Sequence, residues 1–239
     1  MPLADNLVSY WKLDESSGNA ADSVGSNTLT NINTTLYVAA KINNGADIET
    51  SSIQGFSISD ASQTGLDFSD ALSFACWVKF ESIPAGENSI IVKRVGTDSQ
   101  RAYHWKLNSS TLVGFLWYTD GATIGGNLSV AWTPSTATWY YITVTKSGTT
   151  VKFYVDSSQQ GADQTGSAAT IANTTAPFEV GHWVDDVGNF DGIIDEIGVW
   201  SRALTDAEII SLYNSGVGLS YPFSTSKGTP SNLLLMGVG

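Results

Sequence analysis

Cysteine is nearly missing. The 239 residues hold one, Cys76, so no intrachain disulfide can form. A lone thiol inside the apolar stretch 72–80 reads as a buried structural group rather than a nucleophile. Basic residues are scarce: 11 Lys and Arg stand against 23 Asp and Glu, a net charge of −12. A nucleic-acid surface needs a basic stripe and an anionic membrane a basic patch, and the chain offers neither. Histidine occurs twice, as His104 and His182, which leaves no Cys/His cluster for zinc and no convincing Ser-His-Asp set. Long apolar runs are missing too. None approaches the ~20 residues of a membrane span. The opening Met1-Pro2-Leu3-Ala4-Asp5-Asn6 has neither the basic region nor the apolar centre of a signal peptide. Insertion into a membrane is therefore not expected.

What is present is a chain of short apolar runs cut by turn residues. Hydrophobic residues make up 42%, enough for a full core, and 23 Gly and 6 Pro punctuate them at short intervals. Alternation predicts strands over 7–15, 72–80, 90–94, 102–107, 112–118 and 177–183, with shorter β segments between 27 and 60. Residues 139–145 and 151–155 flank Lys146-Ser147-Gly148-Thr149-Thr150, a hairpin with a glycine in its loop. One segment reads clearly as helix. Thr205 stands three residues before Glu208, a capping box; Leu204 can staple onto Ile209; and Gly216 follows the last apolar residue, where a left-handed cap is wanted.

The helix follows the strand Gly192-Ile193-Ile194-Asp195-Glu196-Ile197-Gly198-Val199-Trp200, then Ser201-Arg202-Ala203-Leu204. Strict alternation sets Ile193, Asp195, Ile197 and Val199 on one face and Ile194, Glu196, Gly198 and Trp200 on the other. This closing segment resembles that of the laminin-G-like jelly rolls, the concanavalin A-like sandwiches. The opening Tyr10-Trp11 strand with Ser17-Gly18-Asn19 and Asp22-Ser23, and the 139–156 hairpin, are similar to the same family. The resemblance implies an all-β, two-sheet antiparallel jelly roll with one short C-terminal helix. It spans 1–219 as one domain and leaves 220–239 as an extension. It also implies that the first and last strands are neighbours.

Three kinds of site follow. Related glycosidases carry a Glu-x-Asp-x-x-Glu strand, since retaining hydrolysis needs two carboxylates about 5 Å apart. This chain has no such triplet, so catalysis is not expected. Related folds hold a structural calcium, which wants six to eight oxygens. Carried over, Asp195 is the matching ligand, Asp14 and Asp22 are its acidic companions, and Gly18 and Asn19 offer carbonyls. The alternative is that Asp195 only hydrogen-bonds a neighbouring loop. Sugar sites pair aromatic platforms with polar side chains. Trp105, Trp117, Tyr118, Asp120, His182 and Trp183 are the candidates, because these aromatics fall outside the family's core pattern; the alternative is that they are core. Finally, Leu233-Leu234-Leu235-Met236 is an apolar quartet on a polar tail, a docking element or a loose end. Chains of this appearance resemble bacteriophage virion components, capsid-decorating or tail and fibre proteins, which would place the domain on a virion surface among other assembly subunits. The other reading is an extracellular carbohydrate-binding module that grips cell-surface glycans.

Overall fold

The computed structural model describes residues 2–83, 85–96, 99–183 and 188–223. Among them are fifteen strands and one α-helix. The strands are β1 (Leu7–Trp11), β2 (Thr30–Ile32), β3 (Leu36–Ala39), β4 (Asn44–Ile48), β5 (Gly55–Ile58), β6 (Ala71–Phe80), β7 (Asn88–Arg94) and β8 (Arg101–Ser109). They continue as β9 (Leu112–Tyr118), β10 (Ile124–Ala131), β11 (Trp139–Ser147), β12 (Thr150–Val155), β13 (Ser158–Thr165), β14 (Phe178–Val180) and β15 (Gly192–Trp200), before helix α1 (Asp206–Tyr213).

They form two antiparallel sheets. One has seven strands in the order β10-β9-β8-β7-β14-β5-β2. The other has eight, in the order β13-β12-β11-β6-β15-β4-β3, with β1 also paired to β15. β4 borders the first half of β15 and β1 the second, so the first and last strands are neighbours as expected: Leu7 pairs with Trp200 and Trp11 with Ile197. Between the sheets lies a core rich in rings. Phe74 of β6 meets Trp105 at 6.2 Å and Phe115 at 6.3 Å, and Trp11 stacks on Phe178 at 5.6 Å. Cys76 is buried in this core.

The outer face of the eight-stranded sheet is also covered. β6 is buried on both faces because Ala75 and Trp77 pack beneath α1 with Tyr141, Tyr154, Trp200, Leu204, Ile209 and Leu212. The capping box forms: Glu208 N donates to Thr205 Oγ1 at 3.3 Å and Thr205 N to Glu208 Oε2 at 2.8 Å. Arg202 grips both oxygens of Glu208 at 2.7 and 2.8 Å and donates from Nε to the Asp5 carbonyl at 2.9 Å. The cap falls two residues before the expected glycine, Gly216. Asn214, at φ 48°, takes the left-handed cap, which its short polar side chain tolerates. After the helix the chain turns back over the sheet. Tyr221 and Phe223 lie 6.0 and 5.4 Å from the Tyr10 ring, so the packing of the domain runs past residue 219.

Strict alternation fails in β15. Asp195 pairs with Trp77 and Gly198 with Ala75, so three steps on β15 match two on β6. Glu196, at φ 53°, is the extra residue of a bulge. The bulge changes the phase of the strand: Ile194, Ile197 and Val199 all enter the core between the sheets.

Candidate functional site

The expected sugar groove is closed. Trp105 and Trp117 alternate inward with Tyr103 and Phe115 and are fully buried between the sheets. Neither ring can stack on a sugar there. Tyr118 is on the outer face of the seven-stranded sheet and Trp183 lies against the same face, but they are 3% and 6% exposed. Two arginines that the sequence reading passed over cover them. The Arg94 guanidinium sits 4.3 Å from the Trp183 ring centre and 5.8 Å from that of Tyr118, and Arg101 sits 4.7 Å from Tyr118. Cation–π stacking occupies the faces a sugar would need. His104 packs on Trp183 at 5.3 Å and bonds through Nε2 to Ser89 Oγ at 2.9 Å. Burial pushes its imidazole well below the usual value, so it is neutral. His182 pairs with Glu179 at 3.1 Å. Asp120 caps its own hairpin, accepting from Ala122 N, Thr123 N and Thr123 Oγ1, which lowers its pKa. The structure thus brings Tyr118 and Trp183 together, around Arg94 rather than around a groove.

The expected calcium ligands are each engaged by hydrogen-bond donors of the protein itself. Asp22 accepts from the amides of Tyr10, Val24 and Asn27 at 3.0, 3.0 and 3.1 Å. Asp14 accepts from Asn44 N and Asn43 Nδ2 at 3.1 and 3.2 Å. Asp195 accepts from Ile42 N at 2.8 Å, which is the loop contact weighed as its alternative role. Among the described residues, the carboxylates close enough to share an ion are Asp47, Glu49 and Glu81 instead. Asp195 does keep one buried oxygen without a partner, and neighbouring Glu196 faces Tyr10 and Ser220. Burial first, and mutual repulsion after it, push Asp195 up to about 8; burial pushes Glu196 up to about 7. Residues 233–236 lie outside the described residues.

An open cleft of about 260 Å³ lies where the two sheets come apart, between edge strand β2 of one and edge strand β3 of the other. The 16–19 loop walls one side; Asn31 and residues 34–37 wall the other. Hydrogen bonds preset this wall. Asn19 Oδ1 accepts from Asn31 N at 3.1 Å, which fixes the amide plane and leaves the Asn19 Nδ2 donors without a partner among the described residues. Asn31 Nδ2 bonds the carbonyls of Gly18 and Thr35 at 3.0 and 2.8 Å, and Tyr37 OH bonds Gly18 at 3.0 Å. The Gly18 carbonyl is therefore spent on the wall. Burial raises the Tyr37 pKa, so the phenol stays protonated. Leu36, 59% exposed, adds an apolar rim.

Strain marks the same spot. Thr34, a β-branched residue, sits at φ 61° beside Asn33 at φ 53°. Such a conformation costs about 1–3 kcal/mol and persists only where neighbours hold it. Here Gln54 Nε2 bonds the carbonyls of both residues at 3.2 Å, and Asn33 Nδ2 bonds those of Ser52 and Ile53. In the sequence, Gly18 and Asn19 stand out only as carbonyls for a calcium ion, and nothing there points to a cleft.

The family model of the concanavalin A-like lectin/glucanases superfamily matches residues 50–210. The chain belongs to this superfamily. No curated protein matches the chain. Among solved members of the fold, domain 4 of AbnA, an extracellular arabinanase from Geobacillus stearothermophilus solved with arabinotriose, is 20% identical with a TM-score of 0.63. The match covers 86% of this chain and 97% of that one. The binding domain of Paraclostridial Mosquitocidal Protein 1 is 13% identical with a TM-score of 0.70, covering 90% of this chain and 53% of that one. The binding domain of botulinum neurotoxin DC, in complex with SialylT, is 11% identical with a TM-score of 0.65, covering 89% and 52%. This superfamily domain thus spans about half the length of the two toxin binding domains. At these identities the likeness shows a shared fold.

Proposed function

We propose that this domain is a non-catalytic, extracellular carbohydrate-binding module. The observation that carries it is the edge cleft, a cavity lined with hydroxyl and amide groups, an aromatic ring and an apolar rim, and held in shape by its own hydrogen bonds. Sugars present that chemistry in complement: hydroxyl groups around a ring whose C–H faces are apolar. The lining has no carboxylate, and hydrolysis of a glycosidic bond canonically needs two. The similar arabinanase domain solved with arabinotriose and the similar toxin domain solved with SialylT support the class of ligand. Among the described residues no helix is long and apolar enough to cross a membrane. The virion reading of the sequence came from a family resemblance together with the tail at 233–236, which lies outside the described residues, and the similar structures do not support it.

Titration calorimetry against neutral sugars tests the reading. Tyr37→Ala and Asn19→Ala should each weaken binding about tenfold while the melting temperature holds. Unchanged affinity in both variants would remove the cleft from consideration.

A further inference from the structure

A second cleft of about 570 Å³ adjoins the first, and Asn19 lines both. It lies on the outer face of the seven-stranded sheet. Strand β2 separates the two: Asn31 faces the edge cleft, while Thr30 and Ile32, one residue to either side, face the larger one. Thr30 pairs across the ladder with Ser57 of β5, so their hydroxyls stand side by side. Ser26 and Thr28 extend the row toward Asn19. None of these four side chains has a hydrogen-bond partner among the described residues, whereas Ser59 and Ser62 at the far end bond each other at 2.8 Å. No charged residue lines either cleft. In a chain of net charge −12, a continuous uncharged surface favours a ligand that is itself uncharged and rich in hydroxyls.

We infer that the ligand is a neutral oligosaccharide of several units, with one unit in the edge cleft and the chain running past Asn19 over the terrace of Ser26, Thr28, Thr30 and Ser57. The inference rests on the carbohydrate reading and adds length and neutrality to it. A single terminal sugar would need the edge cleft alone. A chain gains hydrogen bonds from the terrace with each added unit, at a modest entropic cost where Thr30 and Ser57 sit on paired strands.

Calorimetry with arabinose, glucose and mannose ladders of one to five units tests this. The expected result is a Kd that falls at least tenfold between one unit and three, in one ladder, without dependence on salt. A Thr28→Val, Thr30→Val, Ser57→Ala variant, checked by its melting temperature, should weaken the trisaccharide about tenfold more than the monosaccharide. Equal affinity at every length overturns the extended ligand and leaves the edge-cleft reading standing. Equal loss at every length in the terrace variant overturns it as well. If no ladder binds, both readings fall. Tighter binding of oligogalacturonate than of any neutral ladder would overturn neutrality.

Discussion

Asp195 and Glu196 sit next to each other, both buried, and Asp195 keeps one oxygen without a hydrogen-bond partner. Their folded-state values of about 8 and about 7 lie above the ordinary carboxylate range near 4. The folded state therefore binds protons more tightly than the unfolded one. The stability this supplies is complete below about pH 4 and is lost as pH rises through 7 to 8. Melting temperature should fall over that window, and Asp195→Asn with Glu196→Gln should flatten the fall. A rise with pH, abolished by a chelator, would instead mark a cation held by the pair. Thr34 offers a second residue-scale outcome. Thr34→Gly removes a β-branched side chain from left-handed backbone, so it should raise the melting temperature. Its lost hydroxyl should weaken sugar binding. Both quantities can be read on one protein preparation. Neither residue's situation was visible in the sequence. The bulge at Glu196 depends on register against β6, and the strain at Thr34 on Gln54, twenty residues away.

At the scale of elements, α1 is the part the sequence spelled out most fully. Thr205, Glu208, Leu204 and Ile209 act locally, within one turn of each other, and local rules suffice for them. Thr205→Ala should cost ~1 kcal/mol in denaturant unfolding. Arg202→Ala should cost more, about 3–5 kcal/mol, because it strands Glu208 in a buried site. The Arg202 pairing and Thr205 hold Glu208 down at about 2 against the opposing effect of burial. That contribution is present above about pH 4 and is lost as pH falls through 2. Strands β8 and β9 were equally legible as strands, yet their faces were misread. Their alternation was plain, and polar His104 and Lys106 on either side of Trp105 mark the opposite face from it. The outer face of those strands carries aromatic, basic and apolar groups too, so hydrophobicity alone did not separate inside from outside. What closes that face, Arg94 over Trp183, joins residues 89 positions apart.

For the molecule as a whole, the two-sheet sandwich was legible because its motifs recur from the first strand to the last. The edge cleft was not, since it exists only where β2 and β3 part into different sheets. Native mass now tests the remaining question of assembly, and the packing of Tyr221 and Phe223 says where to cut. The full chain and a version ending at Phe223 should both be monomers of equal melting temperature. A version ending at Ser220 should melt lower, because it strips two rings from Tyr10. An oligomeric full chain beside a monomeric 1–223 version would return the assembly reading to the front.

The closing strand also governs when the protein can exist. β15 fills the middle of the eight-stranded sheet, and Trp200 Nε1 bonds the Leu3 carbonyl across 197 positions of chain. A ribosome adding about 5–20 residues per second needs roughly 10–40 s to travel from one to the other. Through that interval β1 has no partner strand, and β6 faces solvent along one side. The hairpins β7 to β10 can form as they emerge, but their sheet has nothing complete to close against. Every newly made copy thus waits, half-assembled and adhesive, for residues 192–213 to emerge.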